Sequence, residues 1–505
     1  MKLVSARARA AQLAAQAPRN ILCLTVDRLN ADFLGAYGNT WIETPAFDAL
    51  AAESVLFDSF YATSLDLATL FRAFWRGESP REIVDELRED DEPTAPGSLF
   101  RALKEQGYRA YVVSDAREIA VHPAVEGDYC DGRFFLGEPD ASEPASALDE
   151  TKFYQNFEEL ARFIAKLEDG ADSGDASPWF VWAHFSGWNA AWDFPLEARE
   201  RYREDEEDPE PYAGAAPPYV PADALGGSNR RSRANLDADA AVDANDLRQS
   251  FVEAYAGGIS VFDETLGGFT QLLRESGALA KTLFIVAGAR GIGTGGSSAL
   301  GFAPEGTHAS PFYAEEIRLP LVARLPDGSG AATRLPALCE PRDLFETVRA
   351  WPTFAKELAD PEFWKIERSD VSPFAGVWSA ETQDERGRKE DAENPDAPAE
   401  FPPDAPGQNL FRLLVDESGS VRDRVVTVAK DARSDERAIA VDGWFLKETP
   451  PANRETRDGE PAKPKLELFV LPDDRYNVND VASRRPDAVE RLAAELRDGK
   501  PDTAR

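Results

Sequence analysis

Histidine and cysteine are scarce in this chain, with three of each in 505 residues. Cys23, Cys130 and Cys339 are odd in number and widely spaced, which excludes a disulfide framework. Cys23 lies inside an apolar run and reads as a small core residue. His122, His184 and His308 are scattered, and a lone histidine is more often structural than catalytic. Positive charge is also short: 56 Lys and Arg stand against 91 Asp and Glu, a formal net charge of −35. That field repels phosphates, so a nucleic-acid partner is excluded and an anionic membrane surface disfavoured. A sulfated or phosphorylated substrate would need a local basic pocket. The same charge suits a soluble, salt-adapted surface. Long apolar runs are missing as well. No segment approaches a transmembrane span. The opening MKLVSARARAAQLAAQAPRN, interrupted by Arg7 and Arg9, holds no signal-peptide core. A cytoplasmic location is therefore expected.

What is present is a globular composition, 43% hydrophobic and 29% charged, in a chain long enough for one large domain and a smaller one. Residues 20–26, Asn-Ile-Leu-Cys-Leu-Thr-Val, form a continuous apolar run, as expected of a parallel strand covered on both faces. Residues 108–113, 179–185, 282–287 and 319–325 are further strand candidates. Helical spacing marks 45–57, 68–76, 98–106, 152–168 and 251–276, with Ser98 as an N-cap and Gly107 as a stop. Alternating helices and strands predict a doubly wound α/β sheet, mainly parallel, over about 1–400. Irregular acidic or proline-rich stretches at 85–93, about 196–250 (with Arg230, Arg231 and Arg233) and about 380–408 read as exposed insertions or linkers. Residues 409–505 predict a small α+β subdomain. Its antiparallel strands fall at 424–429, 437–447 and 465–471, and its closing helix at 486–498.

In an open α/β sheet, ligands bind beyond the carboxyl ends of the strands. Four such ends are Asp27-Arg28, Ser114-Asp115, Gly187-Trp188-Asn189 and Gly288-Ala289-Arg290-Gly291. They offer two aspartates, two arginines and one asparagine, and no histidine. A hydrolase here would need a nucleophile, a metal or basic clamp, and a general acid.

Several segments carry a resemblance. RNILCLTVDRLNADFLGAYGN and TPAFDALAAESVLFDSFYATS (44–64) resemble the opening strand of sulfatases and the approach to their nucleophile. LKEQGYRAYVVSD (103–115) resembles their second strand. Residues 255–291 and 313–328 resemble the long helix and the two strands after it, and 467–496 the closing strand, turn and helix. The chain thus resembles the sulfatase family of the alkaline phosphatase superfamily over nearly its whole length.

The resemblance implies a calcium ion, a formylglycine nucleophile, a lysine clamp and histidines, and residue by residue the chain departs from each. The first calcium aspartate corresponds to Asp27 and the second to Arg28. Within SLDLATLFRAFWRG (64–77), Leu67 or Ala68 takes the nucleophile position, and neither can become an aldehyde hydrate. The family's Gly-Lys-x-His corresponds to Ser114-Asp115-Ala116-Arg117, and its Pro-His-x-Pro to Trp188-Asn189-Ala190-Ala191. The last metal pair becomes Ala289-Arg290, and the late lysine falls near Ala309 with His308 beside it. Calcium wants six to eight oxygen ligands, and an arginine at two ligand positions would repel it. The expectation is a pseudoenzyme without calcium or formylglycine, serving as a binding, scaffold or regulatory protein. A guanidinium from Arg290 or Arg28 is expected to reach Asp27, with Arg28 directed to solvent if Arg290 takes that place. A rebuilt hydrolase using Thr63, Ser64 or Thr69 is one alternative. A sulfate- or glycan-binding module is another, gripping its ligand through Arg28, Arg117 or Arg290 and the exposed-looking Trp188 and Trp192.

Overall fold

The computed structural model describes residues 20–79, 97–125, 129–138, 143–172, 177–296 (except 191, 206, 215, 217 and 222–243), 299–301, 312–359 (except 327), 407–414, 420–429, 436–451 and 462–498. The expectations for 85–93, for the basic run at 230–233 and for most of 380–408 lie outside these residues.

Strands β1 (Asn20–Val26), β2 (Val55–Tyr61), β3 (Arg109–Ser114), β4 (Gly132–Phe135), β5 (Trp179–Phe185) and β6 (Thr282–Gly288) belong to one sheet. Beyond them come a short ribbon, β7 (Gly293–Thr294) with β8 (Leu300–Gly301), and then β9 (Arg318–Arg324) and β10 (Thr333–Cys339). The large sheet has eight strands in the order β10-β2-β9-β6-β1-β5-β3-β4. β9 runs antiparallel to both β2 and β6, and the other pairings are parallel. Every residue of β1, β5 and β6 is buried, as expected of strands covered on both faces.

Ten α-helices are described: α1 (Pro45–Ala52), α2 (Leu67–Arg76), α3 (Leu99–Glu105), α4 (Arg117–Ala120), α5 (Lys152–Asp172), α6 (Leu196–Glu200), α7 (Ala244–Glu275), α8 (Ala314–Ile317), α9 (Pro341–Ala359) and α10 (Pro486–Asp498). Alternation along β1 divides the core. Ile21 and Cys23 enter the layer formed with α2, α3 and α9, whereas Leu22, Leu24 and Val26 enter the layer formed with α1, α5 and α7.

The helical reading of 45–57 fails beyond Ala52. The chain turns at Glu53-Ser54, and Val55–Tyr61 becomes β2. The run Val-Leu-Phe is periodic in either geometry, and pairing with β9 and β10 decides it. The long helix starts at Ala244, inside the stretch expected to be irregular. Ser98 caps α3 through Arg101 N (3.3 Å), as its sequence suggests.

Strands β11 (Arg424–Val428), β12 (Arg437–Val441), β13 (Trp444–Thr449) and β14 (Lys465–Val470) form an antiparallel sheet. The single strand expected over 437–447 is two strands joined at Asp442-Gly443, where Gly443 takes φ 79°. One face, with Val425, Ala438, Ala440, Phe445 and Phe469, continues the core of the large domain. The other, with Ile439, Leu446 and Leu468, packs on α10.

Tyr37 holds an irregular point of the large sheet. The β2/β9 register shifts between Phe57 and Phe60. There the buried Tyr37 hydroxyl accepts from Leu321 N (2.7 Å) and faces the Phe57 and Leu321 carbonyls at 3.1 Å. Tyr37→Phe leaves these backbone groups short of a partner. It should lower stability by about 1–3 kcal/mol, read as a lower urea midpoint at unchanged m-value.

Candidate functional site

The four strand ends named by the sequence lie along one carboxyl edge, because β6, β1, β5 and β3 are consecutive and parallel. At its centre β1 delivers Asp27, whose side chain has no exposed surface. Two residues beyond β6, Arg290 turns back to meet it. Arg290 Nε donates to Asp27 Oδ1 (2.9 Å) and Nη2 to Oδ2, closing a bidentate fork. Its remaining nitrogen, Nη1, donates to the Leu65 carbonyl (2.9 Å), just before α2. One guanidinium thus ties together the ends of β1 and β6 and the approach to α2.

Arg28 does not run to solvent. Its backbone is left-handed (φ 62°), which folds the side chain back over the sheet edge and leaves it 7% exposed. Arg28 N donates to Asp27 Oδ1 (3.1 Å), Nη1 to the Gly291 carbonyl (2.8 Å) and Nε to Asn189 Oδ1 (3.3 Å). The Tyr255 hydroxyl, from α7, pins this turn by donating to the Arg28 carbonyl (2.7 Å) and accepting from Asn30 N (3.0 Å). Asn30 in turn pairs with both backbone groups of Ile292 (2.7 and 2.8 Å). The turns come so close that side chains are excluded: a Cβ on Gly187 would sit 2.3 Å from the Asp27 carbonyl, and one on Gly291 2.0 Å from that of Glu315.

Electrostatics follow this geometry. Burial alone would raise the pKa of Asp27, but the Arg290 guanidinium, with Arg28 beside it, holds the carboxyl below its usual range. Arg290 is held up correspondingly by Asp27, against its own burial. Arg28 is pushed down to about 9, first by burial and then by Arg290. Burial also drives the His184 pKa down to about 4, so its ring is neutral at ordinary pH.

The remaining sequence-derived positions separate into groups. Asp115 is buried and accepts from Ser186 N (2.7 Å), Ser186 Oγ (3.0 Å) and Asn156 Nδ2 (2.8 Å), which fastens β3 to β5. Burial raises its pKa, opposed by these donors. Asn189 meets the cluster through Arg28. Ala289 is wholly buried and its N–H serves the β1/β6 ladder at Val26 (3.0 Å). Arg117 stands apart, largely exposed, paired with Glu138 (3.2 Å) and lying over the Phe135 ring (4.9 Å). Leu67 and Ala68 open α2, where Asp66 is the N-cap and accepts from Thr69 N (2.8 Å) and Thr69 Oγ1 (2.7 Å). Ser64 Oγ accepts from Asp66 N (3.1 Å), and Thr63 is buried. His308 lies outside the described residues. Trp188 and Trp192, taken as exposed from sequence, are fully buried. They pack on Phe153, Phe194, Phe251 and Tyr255, with Trp192 Nε1 donating to the Trp188 carbonyl (3.0 Å).

Sequence reading missed Asn30, Tyr255, Ser186 and Asn156, the polar residues that orient the strand ends. It also left His184 unplaced. His184 pairs with Thr25 across β1 and β5 (Nδ1 to Oγ1, 3.0 Å), stands edge-on to Phe71 (4.9 Å), and its Nε2 finds no partner among the described residues. The signal for Asn30 was its position three residues after Asp27, at a strand end where ligands gather.

Residues 19–351 match the family model described as Sulfatase. The chain belongs to the sulfatase family. No curated protein matches significantly. Among solved structures, the phosphonate monoester hydrolase of Agrobacterium radiobacter is similar at 16% identity and TM-score 0.61, covering 95% of this chain and 96% of that one. The phosphonate monoester hydrolase of Silicibacter pomeroyi follows at 15% and 0.61, covering 97% and 96%. A protein solved with its substrate D-glucosamine-2-N,6-O-disulfate follows at 14% and 0.58, covering 97% and 100%. At these identities the likeness establishes the fold.

The metal and nucleophile that the family implies can be tested against this sulfatase-family site. Asp27 is the one carboxylate left at the calcium position, and both its oxygens are engaged by Arg290. Arg28 brings a second positive charge, and Ala289 brings no ligand atom. Among the described residues no group of three or more His, Cys, Asp or Glu side chains is placed to hold a metal ion. This donor set does not fit calcium, and Leu67 and Ala68 have no group that could become formylglycine.

The pair should be essential to stability. Arg290→Met strands Asp27 in the interior and should cost about 3–5 kcal/mol, and adding Asp27→Asn should recover much of it. The pH dependence should change sign. In the parent the depressed carboxyl pKa contributes stability above its unfolded value, about 4, and loses it as pH falls through the folded value. In Arg290→Met burial raises that pKa, so stability should fall as pH rises above about 4. Urea unfolding across pH 3–7 measures both.

Proposed function

We propose that this sulfatase-family chain is a pseudoenzyme: it keeps the fold, lacks sulfuric ester hydrolysis, and acts as a binding, scaffold or regulatory protein. The observation that carries this reading is the Arg290 guanidinium seated bidentately on Asp27. A side chain supplies the positive charge at a position where the family places a metal. Metal activation of a nucleophile or of a sulfate oxygen then has no donor set to work from. At the start of α2, where an attacking group would stand, Leu67 and Ala68 are aliphatic. The reading includes independence from calcium and formylglycine. The net charge of −35 supports a partner that is neither nucleic acid nor an anionic membrane. No helix among the described residues is long and apolar enough to cross a membrane. A cytoplasmic location remains part of the proposal.

One observation favours a rebuilt hydrolase as the second reading. The Thr69 hydroxyl donates to the Asp66 carboxylate at 2.7 Å, the geometry of a nucleophile with its base. Against it, Thr69 is buried, and the same carboxylate oxygen caps α2 through Thr69 N. Capping explains both contacts. The sulfate- or glycan-binding alternative finds less support. The Arg290 and Arg28 nitrogens already serve internal acceptors, and Trp188 and Trp192 offer no face to a sugar.

Two measurements test the proposal. Purified protein should hydrolyse aryl sulfates, phosphate monoesters and phosphonate monoesters no faster than buffer. Turnover that survives repurification and is lost in Thr69→Val would establish the second reading instead. A calcium chelator should leave the melting temperature unchanged, because no ligand-linked stabilisation is present to lose. A large downward shift would show a bound metal and sink the proposal.

A further inference from the structure

The large sheet ends differently at its two edges. At one, β10 carries Pro336 and loses register against β2 between Leu335 and Leu338. A proline and a register break spoil an edge strand as a template for further pairing. At the other edge, β4 (Gly-Arg-Phe-Phe) has neither. Its one partner strand among the described residues is β3, in unbroken parallel register from Tyr111 opposite Gly132 to Ser114 opposite Phe135. A strand paired on one side leaves alternate N–H and C=O groups facing away. Among the described residues no backbone hydrogen bond beyond the β3 ladder reaches Arg133, Phe134 or Phe135.

The side chains of this edge are as open as its backbone. Phe134 is 41% exposed and Phe135 39% exposed. Phe134 lies on the α5 face of the sheet, its ring 4.5 Å from that of Phe163 and 6.3 Å from that of Tyr111. Phe135 lies on the opposite face, under the Arg117 guanidinium. Arg133 shares that face by the alternation of the strand, is exposed, and donates through Nη2 to the Val125 carbonyl.

We propose that β4 is a self-association edge, through which two copies of this chain pair antiparallel about a two-fold axis at Phe134. That axis sets Phe134 opposite its own copy and Arg133 opposite Phe135 of the other copy, on one face of the joined sheet. Each guanidinium then meets an aromatic ring across the strands, twice by symmetry, and two phenyl rings meet at the axis. An axis at Arg133 would instead set two guanidiniums opposite each other, so the side chains select one register. The two eight-stranded sheets become one continuous sheet. The net charge of −35 on each copy opposes the pairing, and a four-residue strand buries little. The dimer is therefore weak, and it tightens as salt screens the repulsion.

Sedimentation equilibrium of the full chain from about 1 μM to about 1 mM, at low and high salt, tests the edge. The parent should dimerise, with a lower dissociation constant at high salt. Phe135→Lys sets like charges opposite each other at two symmetric positions and should raise that constant by about tenfold or more at high salt. The register is read separately by Phe134→Cys, which brings two thiols together at the axis. Oxidation should turn it into a covalent dimer, whereas the parent and Leu272→Cys, exposed on α7, should stay unlinked. If one variant fails to fold, the other decides. A parent that stays monomeric throughout, as when the edge serves an extended segment of another protein, overturns the proposal. So does association undiminished in folded Phe135→Lys, or crosslinking no faster at position 134 than at 272.

Discussion

A carboxylate with no exposed surface ends the central strand of the large sheet, and the surrounding turns are arranged around its charge. Asp27 could persist there as an anion only with a counter-charge at hydrogen-bonding distance, and Arg290 supplies it through a planar fork that matches both oxygens. The third nitrogen of that fork reaches Leu65. The pair therefore decides where three segments of different sequence origin meet. Arg28, Asn30 and Tyr255 complete the arrangement with contacts that are largely to backbone, so the strand ends are joined as a unit.

Such a site differs chemically from a metal centre of the same shape. A calcium ion leaves coordination positions for substrate and water, whereas a guanidinium spends its donors in fixed directions. In this sulfatase-family chain those directions are filled by protein acceptors. The edge becomes a structural joint whose stability depends on the protonation of Asp27.

A second charge cluster, around Lys447, follows a different logic at the interface with the C-terminal sheet. At Asp27 the buried carboxylate is matched by the Arg290 fork, with Arg28 as a second cation beside it. Around Lys447, buried Glu436 and Glu467 stand beside the cation on the sheet face that meets Tyr313. The same burial that lowers the Lys447 pKa raises that of Glu316, because desolvation penalises whichever form is charged. The two domains thus meet through an apolar face continuous with the main core and through a buried polar cluster.

The amino-acid sequence alone determined the apolar strands β1, β5 and β6, the helices α3, α5 and α10, and the four strand ends where a site belongs. In each case the pattern is local: a continuous apolar run, a 3.6-residue period, or a cap such as Ser98. The resemblance to sulfatases also singled out Asp27 and the arginines able to reach it, since a carboxylate at the family's metal position needs a counter-charge once the metal is gone. Tertiary structure alone decided the rest. Val55–Tyr61 is a strand because β9 and β10 flank it, although its residues fit a helix. Trp188 and Trp192 are interior because α5 and α7 close over them. Arg28 and Arg290 both carry the charge that Asp27 needs. Only the left-handed turn at Arg28, set by Tyr255, Asn30 and close-approaching glycines from distant segments, leaves the fork to Arg290. Composition and period are properties of a segment, whereas the choice between two equivalent charges depends on backbone direction in space, which no segment carries by itself.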